Sequence, residues 1–166
     1  MTDKNKRNFL IFGGVAAVGG SLLGIGLLRS GPAIAKGKFP VTKSDAEWRK
    51  LLSAPAYRVL RQASTEPAGS SPLDNEHRKG TFVCKGCSKR LYSSATKFDS
   101  GTGWPSFYAP LPGGIGTSTD YLLGYPRTEV HCARCGGHLG HVFNDGPKPT
   151  GKRYCMNGVA MLFIPG

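Results

Sequence analysis

The sequence lacks the patterns of several large protein classes. It has no arginine-rich run and no aromatic RNA-binding motif, and its 22 lysines and arginines, against only 10 acidic residues, are scattered along the chain. The net charge of +12 therefore indicates a solvated basic surface and no nucleic-acid partner. Heptads are absent, and two cysteine pairs are the only internal repeat, so a coiled coil and a repeat array are not expected.

Long regular hydrophobic runs are scarce after the N-terminal segment, whereas turn-forming residues are abundant. The 166 residues include 24 glycines and 12 prolines, a balance typical of one mainly β domain with many loops. Ser44 and Glu47 form a capping-box pattern that predicts a short helix, and Pro55 begins a second short helical turn. The predicted strands are Thr81–Val83, Val130–His131 and Arg153–Phe163, and Leu111–Asp120 is predicted to be a mobile loop.

The first 35 residues resemble an export signal. A basic start is followed by the apolar stretch of residues 9–28 and by Ala33-Ile34-Ala35, an A-x-A cleavage pattern. The pentapeptide KRNFL is similar to a twin-arginine signal. The alternative is an uncleaved membrane anchor, because twenty apolar residues can span a bilayer. Both readings predict an exported, periplasmic domain, with membrane contact only through residues 9–28; residues 36–43 are a predicted linker and 44–166 the folded domain.

Four of the five cysteines form two Cys-x-x-Cys pairs, Cys84/Cys87 and Cys132/Cys135. Such pairs let two thiolates of a tight turn reach one tetrahedral ion, which favours one structural zinc with no open position for chemistry. Redox-active disulfides are the alternative, but a redox Cys-x-x-Cys usually opens a helix in a βαβ unit, and that context is missing. An iron site is a third reading.

The fifth cysteine, Cys155, has no such mate. If its segment is a strand, Arg153, Cys155 and Asn157 share one face. A cationic neighbour lowers the pKa of a thiol and increases its reactive thiolate fraction, so Cys155 is a candidate nucleophile. The alternative is a small buried hydrophobic residue.

Two histidines and two aromatic residues are candidates for the same site. His138 and His141 are predicted proton donors; the alternatives are structural histidines, or a Cys₂His₂ site with Cys132 and Cys135. Trp104 and Phe107 lie in a glycine-rich loop, where they either pack in the core or wall an apolar pocket.

Several of these motifs together resemble the methionine-R-sulfoxide reductases of type B. The matching stretches are RQASTEP, KFDSGTGWPSF, RTEVHCARCGGHLGHVF and DGPKPTGKRYCMN, and the resemblance covers about residues 45 to 165. It implies a mainly β fold of two antiparallel sheets, β-tent-like, with short N-terminal helices and a structural Cys₄ zinc site. The roles it implies are Cys155 as nucleophile, His138, His141 and Asn157 around the sulfoxide oxygen, Trp104 on the substrate methyl group, and Arg153 and Asp145 at or near the site.

The implied activity is thiol-dependent reduction of methionine R-sulfoxide in oxidised proteins, through a sulfenic acid on Cys155. A monomer is expected, with an external thiol reductant, thioredoxin-like or other. Thr102 stands where many members carry a resolving cysteine; Met156 and Ala68-Gly69 also depart from the usual pattern. The rival functions are a non-catalytic, exported zinc-binding interaction module and a disulfide oxidoreductase.

Overall fold

The computed structural model describes residues 37–166, which form two short helices followed by two antiparallel sheets. The helices are α1 (Asp45–Leu51) and α2 (Ala54–Gln62). The three-stranded sheet has the order β2-β1-β9, and the six-stranded sheet has the order β3-β4-β8-β7-β6-β5. The strands are β1 (Gly80–Cys84), β2 (Arg90–Ser93), β3 (Lys97–Phe98), β4 (Ser106–Phe107), β5 (Ile115–Asp120), β6 (Arg127–Cys132), β7 (His138–Phe143), β8 (Arg153–Met156) and β9 (Met161–Pro165). The predicted fold class is confirmed.

The two helices begin where the sequence predicts. The Ser44 side chain accepts a hydrogen bond from the Glu47 backbone, and the Glu47 carboxylate accepts one from the Ser44 backbone, which completes the capping box. In α2, Pro55 occupies the first turn, where its missing N–H costs nothing. The buried face of α2, which includes Val59 and Leu60, packs on the six-stranded sheet at β7.

The core between the sheets is built around three aromatic rings. Phe107 of the larger sheet stacks on Tyr92 of the smaller one at 4.3 Å between centroids, and it meets Phe82 edge-on at 4.9 Å. All three side chains are fully buried, and each contributes about 1.5–3 kcal/mol of hydrophobic free energy. Phe107 therefore belongs to the core, and the prediction that it walls a substrate pocket is wrong.

Two stretches differ from the sequence-based expectation. Ile115–Asp120, expected to be loop, is the edge strand β5 and pairs with β6 over its whole length; its glycine and hydroxyl residues lack the apolar alternation of a typical strand. Arg153–Phe163, expected to be one strand, is two strands in different sheets, β8 and β9, separated by the 3-10 turn Gly158–Ala160. The chain thus crosses between sheets just after Cys155.

The export-signal or anchor prediction for residues 1–35, with membrane contact through 9–28, lies outside the described residues. Residues 37–43 form neither helix nor strand, but they are docked on the domain: Val41 donates a backbone hydrogen bond to Arg134 (2.9 Å), and Phe39 meets the His131 ring edge-on. Between residues 37 and 166, no helix has the length and apolarity needed to cross a membrane.

Candidate active site and metal centre

One face of the six-stranded sheet carries a row of polar side chains. Ser106 of β4 lies opposite Cys155 of β8, Cys155 opposite His141 of β7, His141 opposite Glu129 of β6, and Glu129 opposite Ser118 of β5. Residues directly opposite in antiparallel strands share a face, with Cβ atoms about 4.5–5.5 Å apart. Cys155 therefore has a hydroxyl neighbour on one side and an imidazole neighbour on the other.

The other face of β8 is anchored in the core. Met156 is fully buried, its sulfur accepts a hydrogen bond from the Tyr92 hydroxyl (3.2 Å), and Tyr154 packs against the same cluster. Since β8 lies between β4 and β7, Cys155 is held from both sides. The predicted alternation is confirmed as far as Met156, but Asn157 follows the strand as the cap of the 3-10 turn.

His138 is held by a buried carboxylate. Its Nδ1 lies 2.8 Å from Glu129 Oε1, and Ser118 donates its hydroxyl to the other oxygen of Glu129. Burial alone would raise the pKa of Glu129, but the hydrogen bonds from His138 and Ser118 outweigh it and hold the pKa below its usual value. A carboxylate only accepts, so the His138 proton sits on Nδ1, and Nε2 remains for a substrate.

His141 is held in the same way by Asp120. Its Nε2 lies 2.8 Å from Asp120 Oδ2, which also accepts from Arg127 at 2.5 Å, while Oδ1 accepts from the Leu122 backbone at 2.7 Å. Burial lowers the pKa of His141 below its ordinary value, although Asp120 pulls in the opposite direction. His141 is consequently neutral at neutral pH, with its proton on Nε2 and a free lone pair on Nδ1.

The Cys155 thiol is half-buried, and its pKa is subject to opposing effects. Burial raises the pKa above the ordinary thiol value, and this effect exceeds the opposing effects of the Arg153 guanidinium and of Thr102. Arg153 also makes two hydrogen bonds to Asp145, at 2.9 and 2.8 Å. Arg153 lowers the thiol pKa as expected, but desolvation of the thiolate has the larger effect, so the net shift is upward.

A chain of hydroxyls leads away from Cys155. Thr102, which lowers the pKa of the Cys155 thiol, lies 2.8 Å from Ser100; Ser100 lies 2.7 Å from Ser106, and Ser106 donates to the Trp104 carbonyl at 3.0 Å. Each hydroxyl has one proton. Because Ser106 donates its only proton to the carbonyl, Ser100 must donate to Ser106, and Thr102 must donate to Ser100.

Trp104 is fixed by the loop that follows α2. Its indole N–H donates to the Glu66 carbonyl (3.1 Å), and the Glu66 N–H donates to the Asn157 side chain (2.8 Å), whose amide nitrogen donates to Leu139 (3.0 Å). Both ends of the buried Asn157 amide are thus bonded to backbone. Asn157 positions the loop and β7, and its role at the sulfoxide oxygen stays a prediction.

Glu66 was missed by the sequence predictions, as were Asp120 and Glu129. The Glu66 carboxylate accepts the backbone N–H groups of Gly158 (2.6 Å) and Val159 (2.8 Å), which turns the chain after Cys155 towards the other sheet. For Glu129, the only sequence signal was an acidic residue directly before the predicted strand Val130–His131. Glu66 and Asp120 carried none, because their partners are distant in sequence.

The two Cys-x-x-Cys pairs meet between the sheets. Cys84 Sγ lies 3.7 Å from Cys135 Sγ, Cys87 Sγ lies 3.5 Å from Cys132 Sγ, and all four sulfurs lie within 4.8 Å of one another. These separations suit tetrahedral thiolates about 2.3 Å from one ion and exceed a bonded disulfide of about 2.05 Å. The cluster is a structural metal site. His138 and His141 are bonded to carboxylates instead, so a Cys₂His₂ site is excluded.

The turns around the cluster are equivalent. The residue after each second cysteine, Ser88 or Gly136, has a positive φ, and its N–H donates to the first cysteine of its pair. Cys84 ends β1 and Cys132 ends β6, so the metal site connects the two sheets. Arg134 donates to the Cys87 carbonyl and Arg61 to the Cys135 carbonyl, both at 3.1 Å, which ties each turn to a neighbouring segment.

Comparison with known proteins identifies the family. A SelR domain model matches residues 52–165. Among similar proteins, the peptide methionine sulfoxide reductase MsrB of Leptospira interrogans is 51% identical over 126 residues, which are 75% of this chain and 96% of that protein. The MsrB proteins of Agrobacterium fabrum and Methanosarcina barkeri are each 50% identical over 126 residues, covering 93% and 87% of their lengths. The chain therefore belongs to the SelR domain family, the type B methionine-R-sulfoxide reductases.

Proposed function

We propose that Cys155 reduces the R epimer of methionine sulfoxide in proteins by direct attack on the sulfoxide sulfur. Membership of this enzyme family sets aside a non-catalytic zinc module and a disulfide oxidoreductase. The observation that carries the proposal is the placement of Cys155 opposite His141 on the polar face of the sheet, with Trp104 fixed two residues before Ser106, the other neighbour of Cys155.

Proton transfer follows from the hydrogen bonds at the site. His141 Nδ1 takes the thiol proton, and the Asp120 carboxylate on Nε2 stabilises the resulting imidazolium. The thiolate attacks the sulfoxide sulfur, and the imidazolium returns the proton to the sulfoxide oxygen as negative charge develops there. His138, whose Nδ1 is held by Glu129, offers Nε2 as a second hydrogen-bonding group for the sulfoxide.

The step balances in atoms and electrons. The sulfoxide S–O bond breaks, its oxygen and one proton end on the Cys155 sulfur as a sulfenic acid, and methionine leaves as a thioether. Two electrons pass from the cysteine sulfur to the methionine sulfur. Trp104, anchored by its indole N–H on Glu66, would pack on the methyl group of the substrate.

We further propose that the metal is zinc. Four thiolates from two Cys-x-x-Cys turns are the donor set of structural zinc sites. Zinc held by Cys84, Cys87, Cys132 and Cys135 would supply folding free energy, since a closed Cys₄ site has no open position. The proposed reaction at Cys155 and His141 uses none of these four sulfurs.

Regeneration requires a thiol from outside the chain. Five cysteines are present and four surround the metal site, so Cys155 has no internal partner. A thioredoxin-like protein or a small thiol attacks the sulfenic acid, releases water and forms a mixed disulfide, which a second thiol then reduces. We propose that this occurs outside the cytoplasm, as the signal-like residues 1–35 indicate, and that the enzyme is a monomer.

The test is an epimer-resolved assay. Wild-type protein with dithiothreitol is expected to consume only the R epimer of N-blocked methionine sulfoxide, and Cys155→Ser neither epimer, with circular dichroism and metal content unchanged. Consumption of the S epimer, or turnover in the Cys155→Ser variant, contradicts the proposal.

A further inference from the structure

A groove lies outside the row of polar side chains that contains Cys155 and His141, and none of the residues in that row lines it. Its volume is about 590 Å³, and it opens between α2, residues 64–73 and β9, a size in the range of ligand-binding pockets. The apolar part of its wall is formed by Val59, Leu73, Val159, Leu162 and Phe163. Leu162 is 45% exposed, so its side chain is accessible to a ligand.

The rim of the groove is a free sheet edge. Among residues 37–166, β9 pairs only with β1, and the hydrogen bonds from Lys85 to Ala160 and from Gly166 to Lys79 fix which residues of β9 face β1. In this antiparallel register, the N–H and C=O groups of Phe163 point away from β1. An extended peptide can add to such an edge through main-chain hydrogen bonds.

The charge of the groove is positive. Arg58 and Lys85 line it, while the one carboxylate in its wall, that of Glu66, is engaged by the N–H groups of Gly158 and Val159. The rim therefore complements a ligand with an acidic group next to apolar ones.

The groove and the active site share one residue. Glu66 is one of the residues that line the groove, while its backbone carbonyl accepts from the Trp104 indole and its N–H donates to Asn157. The loop around Glu66 therefore borders both Trp104 and the groove.

We propose that this groove binds an extended segment of the protein substrate, apolar with an acidic residue, on the same polypeptide as the oxidised methionine. The inference rests on the proposed function for its substrate. Backbone pairing with Phe163, burial of apolar side chains against Leu162, and attraction of the acidic group to Arg58 hold the segment. A free blocked amino acid cannot use the groove.

Binding is tested without catalysis. A fluorescein-labelled, methionine-free peptide of apolar residues with a central aspartate is titrated with wild-type protein, followed by anisotropy. Leu162→Asp and Arg58→Glu are expected to weaken binding by about tenfold or more. The matched controls, Leu51→Asp on the exposed face of α1 and Arg90→Glu on β2 at the opposite edge of the small sheet, are expected to leave it unchanged. Equal loss in the controls, or no binding by wild type, overturns the proposal.

Charge exchange and kinetics complete the test. Arg58→Glu is expected to bind a lysine peptide better than the aspartate peptide.

With methionine sulfoxide added to the peptide, Leu162→Asp should raise KM about tenfold without changing kcat, and leave kcat/KM for the blocked amino acid unaltered. Failure of wild type to turn over either substrate defeats the proposed function, while anisotropy judges the groove separately. Dimerisation of the protein that Leu162→Asp abolishes would make the groove a self-association surface and overturn the peptide proposal.

Discussion

Cys155 and His141 are direct cross-strand partners, and burial shifts their pKa values in opposite directions, upward for the thiol and downward for the imidazole. At neutral pH the resting pair is therefore a neutral thiol beside a neutral imidazole. The reactive thiolate–imidazolium pair contains the same number of protons, so it forms by transfer within the site and not by exchange with solvent.

This relationship predicts a broad pH plateau. The reactive pair is a constant fraction of the enzyme wherever the neutral pair dominates, from the lowered pKa of His141 to the raised pKa of Cys155. The ordinary pKa values of histidine and cysteine are about 6.5 and about 8.5, and the shifted values of His141 and Cys155 lie outside this range. We therefore expect kcat/KM to be flat at least between about pH 6.5 and about 8.5, and to fall at lower and at higher pH. A narrow optimum centred at neutral pH contradicts the assignment.

Removing a positive or a negative charge near Cys155 should shift the pKa of its thiol in opposite directions. Arg153 lowers the pKa of the thiol and Asp74 raises it. Arg153→Gln is therefore expected to shift the pH dependence of Cys155 alkylation by iodoacetamide upward, and Asp74→Asn to shift it downward. Mass spectrometry confirms that Cys155 is the modified residue. A shift of the same sign in both variants would show that packing, and not charge, controls the thiol.

Removal of a histidine should reduce turnover more than removal of the charge on its carboxylate partner. His141→Ala is expected to reduce kcat by about 10² to 10⁴, the usual contribution of a positioned proton-transfer group, and to remove the acid limb of the pH profile. Asp120→Asn should keep the hydrogen bond to Nε2 but destabilise the imidazolium, which lowers kcat less. The parallel variants His138→Ala and Glu129→Gln report on the second histidine. Rates near wild type in both histidine variants return these residues to a structural role.

Loss of one metal ligand should cost more stability than loss of the nucleophile. Structural zinc contributes about 10–16 kcal/mol in zinc-finger peptides, which equals or exceeds the total stability of about 5–15 kcal/mol of many domains. Cys87→Ser and Cys132→Ser are expected to release metal and lower Tm strongly or prevent folding. Cys155→Ser, the same atomic change outside the cluster, should retain metal and Tm. Full metal content with an unchanged Tm in the ligand variants means that the cluster is misassigned.

Local signals in the sequence located the parts of the fold that depend on neighbouring residues. The Ser44–Glu47 capping box, the Cys-x-x-Cys pairs and the alternation from Arg153 to Met156 involve residues a few positions apart. The end of β8 depends instead on Glu66, about ninety residues away in sequence, whose carboxylate captures the N–H groups of Gly158 and Val159. No local pattern encodes that contact, which is why one continuous strand was predicted.

The site shows the same division. Cys155 and both histidines are recognisable as residue types, whereas Asp120 and Glu129 act only because strand register brings them beside imidazoles. The strand that carries Asp120 was predicted to be loop, since its glycine at position 116 and its hydroxyl residues conceal it. That glycine is needed: a Cβ there would lie 2.6 Å from the His131 ring.

The position of Thr102 predicts how recycling can be changed. Thr102 is near enough to Cys155 to lower the pKa of its thiol, so we expect Thr102→Cys to place a second thiol where it can attack the sulfenic acid, release water and form an internal disulfide. After one equivalent of substrate, wild-type protein should be labelled at Cys155 by dimedone, whereas the Thr102→Cys variant should instead lose two free thiols and resist dimedone. Thr102→Ser, which keeps the hydroxyl, is the control and should behave as wild type. A disulfide between Cys155 and a cysteine of the metal cluster during wild-type turnover, with metal released in step, would contradict this account, because a metal ligand would then be the resolving thiol.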